Sequence, residues 1–126
     1  MSALVIFSPN VQRLATFYEL VLEAQPIVES SGDIRLRNDL DEVLIHSMPA
    51  RRAAQIEITE PPAPREDSAM KPVFEVRSLP EALQQVEANG GIATSRTFRI
   101  EGATRHDVVD PDGNVIQLRS RMAEPT

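Results

Sequence analysis

The feature that most limits how this chain can fold is an order of elements that occurs twice. Residues 3–7 form a short apolar run, Ser8-Pro9-Asn10 supplies turn and cap chemistry, and Val11, Leu14, Phe17, Tyr18 and Val21 then recur at three- and four-residue spacing. Gln12, Arg13 and Glu19 fall off that stripe, so the pattern predicts a strand followed by a helix with one buried face. The same plan returns at residues 73–76, where Ser78 caps a second helix, Pro80 sits in its first turn, and Leu79, Ala82, Leu83 and Val86 make the stripe. Val5 aligns with Val73, and Val11 with Leu79, at one constant offset. Asn89-Gly90-Gly91 ends the second helix, because glycine takes the left-handed conformation that a helix C-terminus often needs.

Short strand-like segments follow each helix, at residues 27–30, 34–37 and 42–48 after the first and at 92–95, 104–109 and 115–119 after the second. Pro26 closes the first helical pattern, and Asp110-Pro111-Asp112-Gly113-Asn114 is a hairpin turn before the last segment. Between the halves, Pro49, Pro61, Pro62 and Pro64 and many charges interrupt a possible helical turn at residues 50–54. With 126 residues, the chain is the size of one domain, so the halves are expected to share one core. The expected organisation is a first module over about 1–49, a linker over 50–69 and a second module over about 70–122, all within a single domain 1–126.

Charge narrows the possible partners. A net charge of -6 argues against a nucleic-acid binder, which needs a basic face to release counterions from phosphates, and Arg51-Arg52 is the only adjacent basic pair. No apolar run approaches the roughly 18 residues of a membrane span, and the N-terminus lacks a signal-peptide pattern, so a cytoplasmic protein with no membrane partner is expected. The chain has no cysteine, which removes disulfides, thiolate nucleophiles and cysteine-held zinc. A small-molecule ligand is the partner class that remains.

Taken together, the strand-turn-helix with Phe17-Tyr18 and Leu22, the second helix ending Asn89-Gly90-Gly91, and the run Asp110-Pro111-Asp112-Gly113-Asn114-Val115-Ile116-Gln117-Leu118 resemble the vicinal oxygen chelate superfamily. This is the group of glyoxalases, bleomycin-resistance proteins and ring-cleaving dioxygenases, and the likeness runs from Ala3 to Arg119. It implies an α+β fold of two tandem βαβββ modules, forming curved mixed sheets around a cavity that is often completed in a homodimer. Metal-dependent members place a divalent ion there, held by histidine and carboxylate ligands from four strands, and its open positions chelate two neighbouring substrate oxygens.

Transferred one at a time, those ligand positions fall on unsuitable residues. Counting back from Phe17-Tyr18 gives Ala3, which has nothing to donate, and counting back from Phe74 gives Lys71, whose ammonium repels a cation. The third position falls at about Leu44, with His46 two residues on and on the same strand face. The fourth, usually glutamate, is Gln117, a weak neutral ligand suited to hydrogen-bonding a polar molecule.

The expectation is therefore a glyoxalase/bleomycin-resistance-like protein that binds a small organic ligand without the usual metal and with no other cofactor. His46 is the candidate acid or base, or else a rim or packing histidine; Phe7, Leu44, Lys71 and Gln117 are further candidate ligand contacts. Gln117 reads equally as an amide tying strands together, and Lys71 as a surface residue. Arg105 or Asp107 is expected in an exposed salt bridge, on the face opposite His106.

The alternative keeps a divalent metal for lyase, isomerase or dioxygenase chemistry, with His46, His106, Glu42 or Glu75 as displaced ligands. Acid-base catalysis by His46 without a metal, and a regulatory protein that docks through its proline-rich linker, are two further readings.

Overall fold

Both helices begin where a side chain satisfies the backbone N–H groups that a first turn leaves unpaired. Asn10 accepts from the Arg13 N–H at 3.2 Å and Ser78 from the Glu81 N–H at 3.4 Å. These caps start α1 (Val11–Leu22) and α3 (Leu79–Ala88), which keeps Pro80 in its first turn. The computed structural model describes residues 2–120; the last residues of the expected second module, 121 and 122, lie outside the described part. Around the helices run β1 (Ser2–Ser8), β2 (Gln25–Val28), β3 (Ile34–Arg37), β4 (Asp41–Ser47), the short α2 (Ala50–Ala53), β5 (Val73–Val76), β6 (Ile92–Ile100), β7 (Ala103–Val109) and β8 (Val115–Ser120).

The fold is thus α+β, with two tandem βαβββ modules, each contributing a four-stranded mixed sheet: β1-β4-β3-β2 and β5-β8-β7-β6. In both, the first strand pairs in parallel with the last, and the remaining pairs are antiparallel. Two segments differ from the expected bounds by more than one residue. Strand β2 starts at Gln25 and takes in Pro26, which an edge strand tolerates because its missing N–H faces no neighbour. Strand β6 runs on to Ile100, well past residue 95, because β7 pairs with it as far as Ile100–Ala103.

The two sheets stay separate and do not close into one barrel. Their inner faces are occupied by the helices: α1 packs against α3 and touches strands of both sheets, and Leu14, Phe17, Tyr18, Ile45, Phe74, Val86 and Leu118 belong to one buried cluster. Period-two alternation then fixes the other face. In β1 and β4, Leu4, Ile6, Val43 and Ile45 turn toward the core, leaving Val5, Phe7, Leu44 and His46 outward. In β7 and β8, Val108, Ile116 and Leu118 turn inward, and Arg105, Asp107 and Gln117 outward.

The turn at residues 110–114 joins the modules. The Tyr18 hydroxyl donates to Asp110 Oδ2 at 2.7 Å, and Asp110 Oδ1 accepts from the Asp112 and Asn114 N–H groups at 3.0 and 2.9 Å. Ser8 Oγ donates to Asp112 Oδ2 at 2.6 Å, and Arg13 reaches the Pro111 carbonyl at 3.1 Å. Gly113 has φ +92°, and a Cβ there would lie 2.4 Å from the Ala63 carbonyl oxygen, so only glycine lets the linker lie this close. The linker is tied down by Arg65 N–H donating to the Gly113 carbonyl at 2.9 Å. It is therefore a strap anchored at the turn, with residues 63–70 still exposed to solvent.

Burial pushes the Asp110 carboxyl above the ordinary carboxylate range, and burial, helped by the Asp110 charge, pushes the Tyr18 hydroxyl well above its own. Tyr18→Phe removes a donor from a buried carboxylate and should lower stability by about 1–3 kcal/mol, read as a urea midpoint shift at unchanged slope. Because burial makes the folded chain hold the Asp110 proton to higher pH than the unfolded chain does, the stability linked to that proton is complete below the unfolded pKa and is lost as pH rises through the folded one. The stability of the wild type relative to Asp110→Asn should accordingly decline as pH rises from the ordinary carboxylate range upward; a relative stability that grows with pH contradicts this direction.

Candidate functional site

On the outer face of the second sheet, four polar side chains form one hydrogen-bonded network. Strand pairing sets Asp107 directly opposite Gln117, and the Gln117 amide donates to Asp107 Oδ1 at 3.0 Å. Lys71, in the approach to β5, places Nζ 2.9 Å from the other carboxylate oxygen. Arg105 Nη1 donates to Gln117 Oε1 at 3.3 Å. Asp107 is 1% exposed and Lys71 40%, so the pair has a buried acidic end and a half-open basic end. The salt bridge expected at this strand is present, but it is buried rather than exposed, because Asp107 faces the linker side of the sheet and not open solvent.

The outer face of the first sheet carries the other candidates. Phe7 pairs in register with His46, and their rings stack with centroids 5.2 Å apart. His46 Nδ1 lies 3.4 Å from Asp33 Oδ1, without hydrogen-bond geometry. The Ser47 N–H donates to the same Asp33 oxygen at 3.1 Å, and chiefly that bond holds the Asp33 carboxyl below its ordinary range. Leu44 sits between Val5 and Arg35 on the neighbouring strands. The structure therefore joins Lys71 and Gln117 through Asp107, joins Phe7 to His46, and puts the two groups on different sheets.

Two cavities flank the linker where it crosses between the modules. One, of about 500 Å³, has Lys71 and Asp107 in its wall; the other, of about 330 Å³, is bounded by Phe7 and the β1 edge. Both share Arg65, Ser68, Met70 and Val115, so the linker stretch 65–70 forms a common wall. Gln117 is buried beneath this region, where it braces Asp107 and Arg105.

A divalent metal does not fit the residues at the four transferred positions. Ala3 and Leu44 offer no donor atom, the Lys71 ammonium is engaged with Asp107, and both ends of the Gln117 amide are already hydrogen-bonded. The displaced ligands do not converge either. His106 pairs with Leu118 and so faces the helix side of its sheet, held by Thr97 Oγ1 at 3.0 Å and by the Thr94 carbonyl. Arg37 hydrogen-bonds Glu42, which keeps that carboxyl below its ordinary range, and Glu75 pairs with Arg119 at 3.7 Å. Among the described residues, no group of three histidine or acidic side chains is arranged to hold an ion.

The residues missed in the sequence were Asp107 as the centre of a network and Arg65 as a cavity wall. Asp107 had a signal, since it stands opposite Gln117 once the hairpin turn sets the register. Arg65 had none, because nothing local says where a proline-rich strap will lie.

A family model for the Glyoxalase/Bleomycin resistance protein/Dioxygenase superfamily matches residues 1–118, and the chain belongs to that superfamily. No curated protein matches it. Solved structures share its fold at low identity. A glyoxalase/bleomycin resistance protein from Albidiferax ferrireducens T118 is 18% identical at TM-score 0.68, covering 97% of this chain and 98% of that one. A glyoxalase/bleomycin resistance protein/dioxygenase family enzyme from Burkholderia phytofirmans PsJN is 16% identical at TM-score 0.70, covering 95% and 97%. The fosfomycin resistance protein FosX from Mesorhizobium loti is 14% identical at TM-score 0.66, covering 97% and 92%.

The network generates a specific expectation. Lys71→Met leaves the buried Asp107 carboxylate without its cation and should destabilise the fold by about 1–3 kcal/mol, discounted from a fully buried pair because Lys71 is half open. Lys71→Met combined with Asp107→Asn should recover part of that loss, measured as a double-mutant cycle in urea; strict additivity would show that the pair is not coupled.

Proposed function

We propose that this member of the superfamily binds a small organic molecule without the divalent metal that its metal-dependent relatives use. The observation that carries the reading is the Lys71–Asp107–Gln117–Arg105 network. At two of the four transferred ligand positions it sets an ammonium and an amide, already satisfied by one buried carboxylate. A cation brought there would meet the Lys71 charge at close range and would have to displace it from Asp107. Ala3 and Leu44 add nothing that offsets this. What the region does offer is two half-open cavities beside the linker, the smaller lined mainly by apolar side chains and the larger mixing apolar with polar and charged ones, which suits a small molecule with a polar group.

The reading includes a homodimer, supported by apolar side chains left open on the outer sheet faces: Val5, Phe7, Val73 and Phe98. It also includes a cytoplasmic location, supported by the lack of cysteine; among the described residues no helix is long and apolar enough to cross a membrane.

A second reading has one observation in its favour. His46, stacked on Phe7 with Asp33 close to Nδ1, has the composition of an oriented acid-base group, which needs no metal.

Elemental analysis of the full chain, purified without chelator and again after exposure to zinc, nickel, iron or manganese followed by desalting, tests the main reading. Metal well below one ion per chain is expected in both samples. One tightly held ion per chain would overturn the proposal.

A further inference from the structure

The larger cavity has a wall built from an irregularity in β6. Between Ala93 and Thr97 the pairing with β7 shifts register, and the displaced residues Thr94, Ser95 and Arg96 face the cavity. This bulge is held in place at several points. Thr94 Oγ1 donates to the Asp107 carbonyl at 2.7 Å, the Arg96 N–H donates to Thr94 Oγ1 at 3.2 Å, and His106 Nε2 meets the Thr94 carbonyl. Arg96 is thus carried on a fixed backbone, yet its guanidinium has no carboxylate partner among the described residues.

Across the cavity stands Arg65, whose Nε donates to the Asp112 carbonyl at 3.4 Å and whose charge is likewise unmatched by a carboxylate among the described residues. Lys71 is already engaged by Asp107, which leaves Glu66 as the one unpaired acid in this wall against two unpaired guanidinium groups. On a chain of net charge -6, that local excess of positive charge is a departure from the surface at large. Beside the hydroxyls of Ser68, Thr94 and Ser95, the lining has an apolar part made of Met70, Val109 and Val115.

Building on the metal-free binding reading, we infer that this cavity takes a small organic anion, a carboxylate or similar oxyanion carried on an apolar body, with Arg96 and Arg65 as its anion contacts. A planar guanidinium presents two parallel N–H groups to such an oxyanion, which an ammonium cannot do. The apolar body lies against Met70, Val109 and Val115. A volume of about 500 Å³ suits a ligand of that size and is too small for a folded partner.

Titration of benzoate, benzamide and inorganic phosphate into the isotope-labelled full chain, followed by amide NMR, tests the inference. Benzoate should shift the amides of Thr94, Ser95, Arg96, Ser68 and Lys71 saturably, with benzamide and phosphate each weaker by roughly tenfold or more. Arg96→Ala and Arg65→Ala should each weaken benzoate by roughly tenfold, while Arg51→Ala, in α2 away from the cavity, leaves it unchanged. Benzoate no tighter than benzamide at these amides overturns the anion assignment while leaving metal-free binding intact, and phosphate as tight as benzoate overturns the apolar body. Shifts confined to other residues, or wild-type affinity in both arginine variants, overturn the site itself. A bound metal in the elemental analysis would refute the metal-free reading without altering which amides benzoate moves, so the two failures are separable.

Discussion

The hydrogen bond from the Tyr18 hydroxyl to the buried Asp110 carboxylate links a side chain in the first module's helix to the closing turn of the second. A carboxylate so far from water must have its oxygens satisfied, and here Tyr18, Asn114 and two backbone N–H groups share the task. Ser8 and Arg13 bond to the neighbouring residues of the same turn, so the end of β1 and the start of α1 are held against it as well. The order in which these groups sit determines the rest. Once the turn is fixed against α1, the strand that follows has only one register in which Ile116 and Leu118 reach the core, and Gln117 must then point outward beside Asp107.

That outward position is why Gln117 bonds to Asp107 and Arg105 on the outer sheet face. Lys71 and Gln117, two of the four positions transferred from metal-dependent members of the superfamily, meet there through Asp107. Their polar groups satisfy one another. A buried carboxylate beside an ammonium and an amide is a closed set, stable without any added ion, whereas the same carboxylate among histidines would be an open one. Beside the network, along the linker, Arg65 and Arg96 have no carboxylate partner among the described residues.

Much of the architecture was legible in the sequence because it follows from short-range patterns. The stripe of Leu14, Phe17, Tyr18 and Val21 fixed α1, Ser78 and Pro80 fixed the start of α3, and strand alternation placed Leu44 with His46 and set His106 apart from Asp107. Less legible were the ends of β2 and β6, since a strand's length depends on what its neighbour offers to pair with. The burial of Asp107 was hidden for a related reason: a charged residue that directly follows Arg105 and His106 looks solvated until Lys71, distant in the chain, is seen to cover it.

The sequence by itself determined two modules, the turn that registers the last strand, and which residue types stand at the transferred positions Ala3, Lys71 and Gln117, because each depends on residue type and on spacing within one element. Only the tertiary structure decided that the helices pack against both sheets and that the two sheets stay open toward each other. It also decided that Lys71, Asp107 and Gln117 bond to each other, and that the strap holding Arg65 lies across from the bulge holding Arg96. Those outcomes rest on contacts between residues far apart in the chain, whose energies come from burial and mutual satisfaction of charge, and neither quantity exists until the modules are folded against one another.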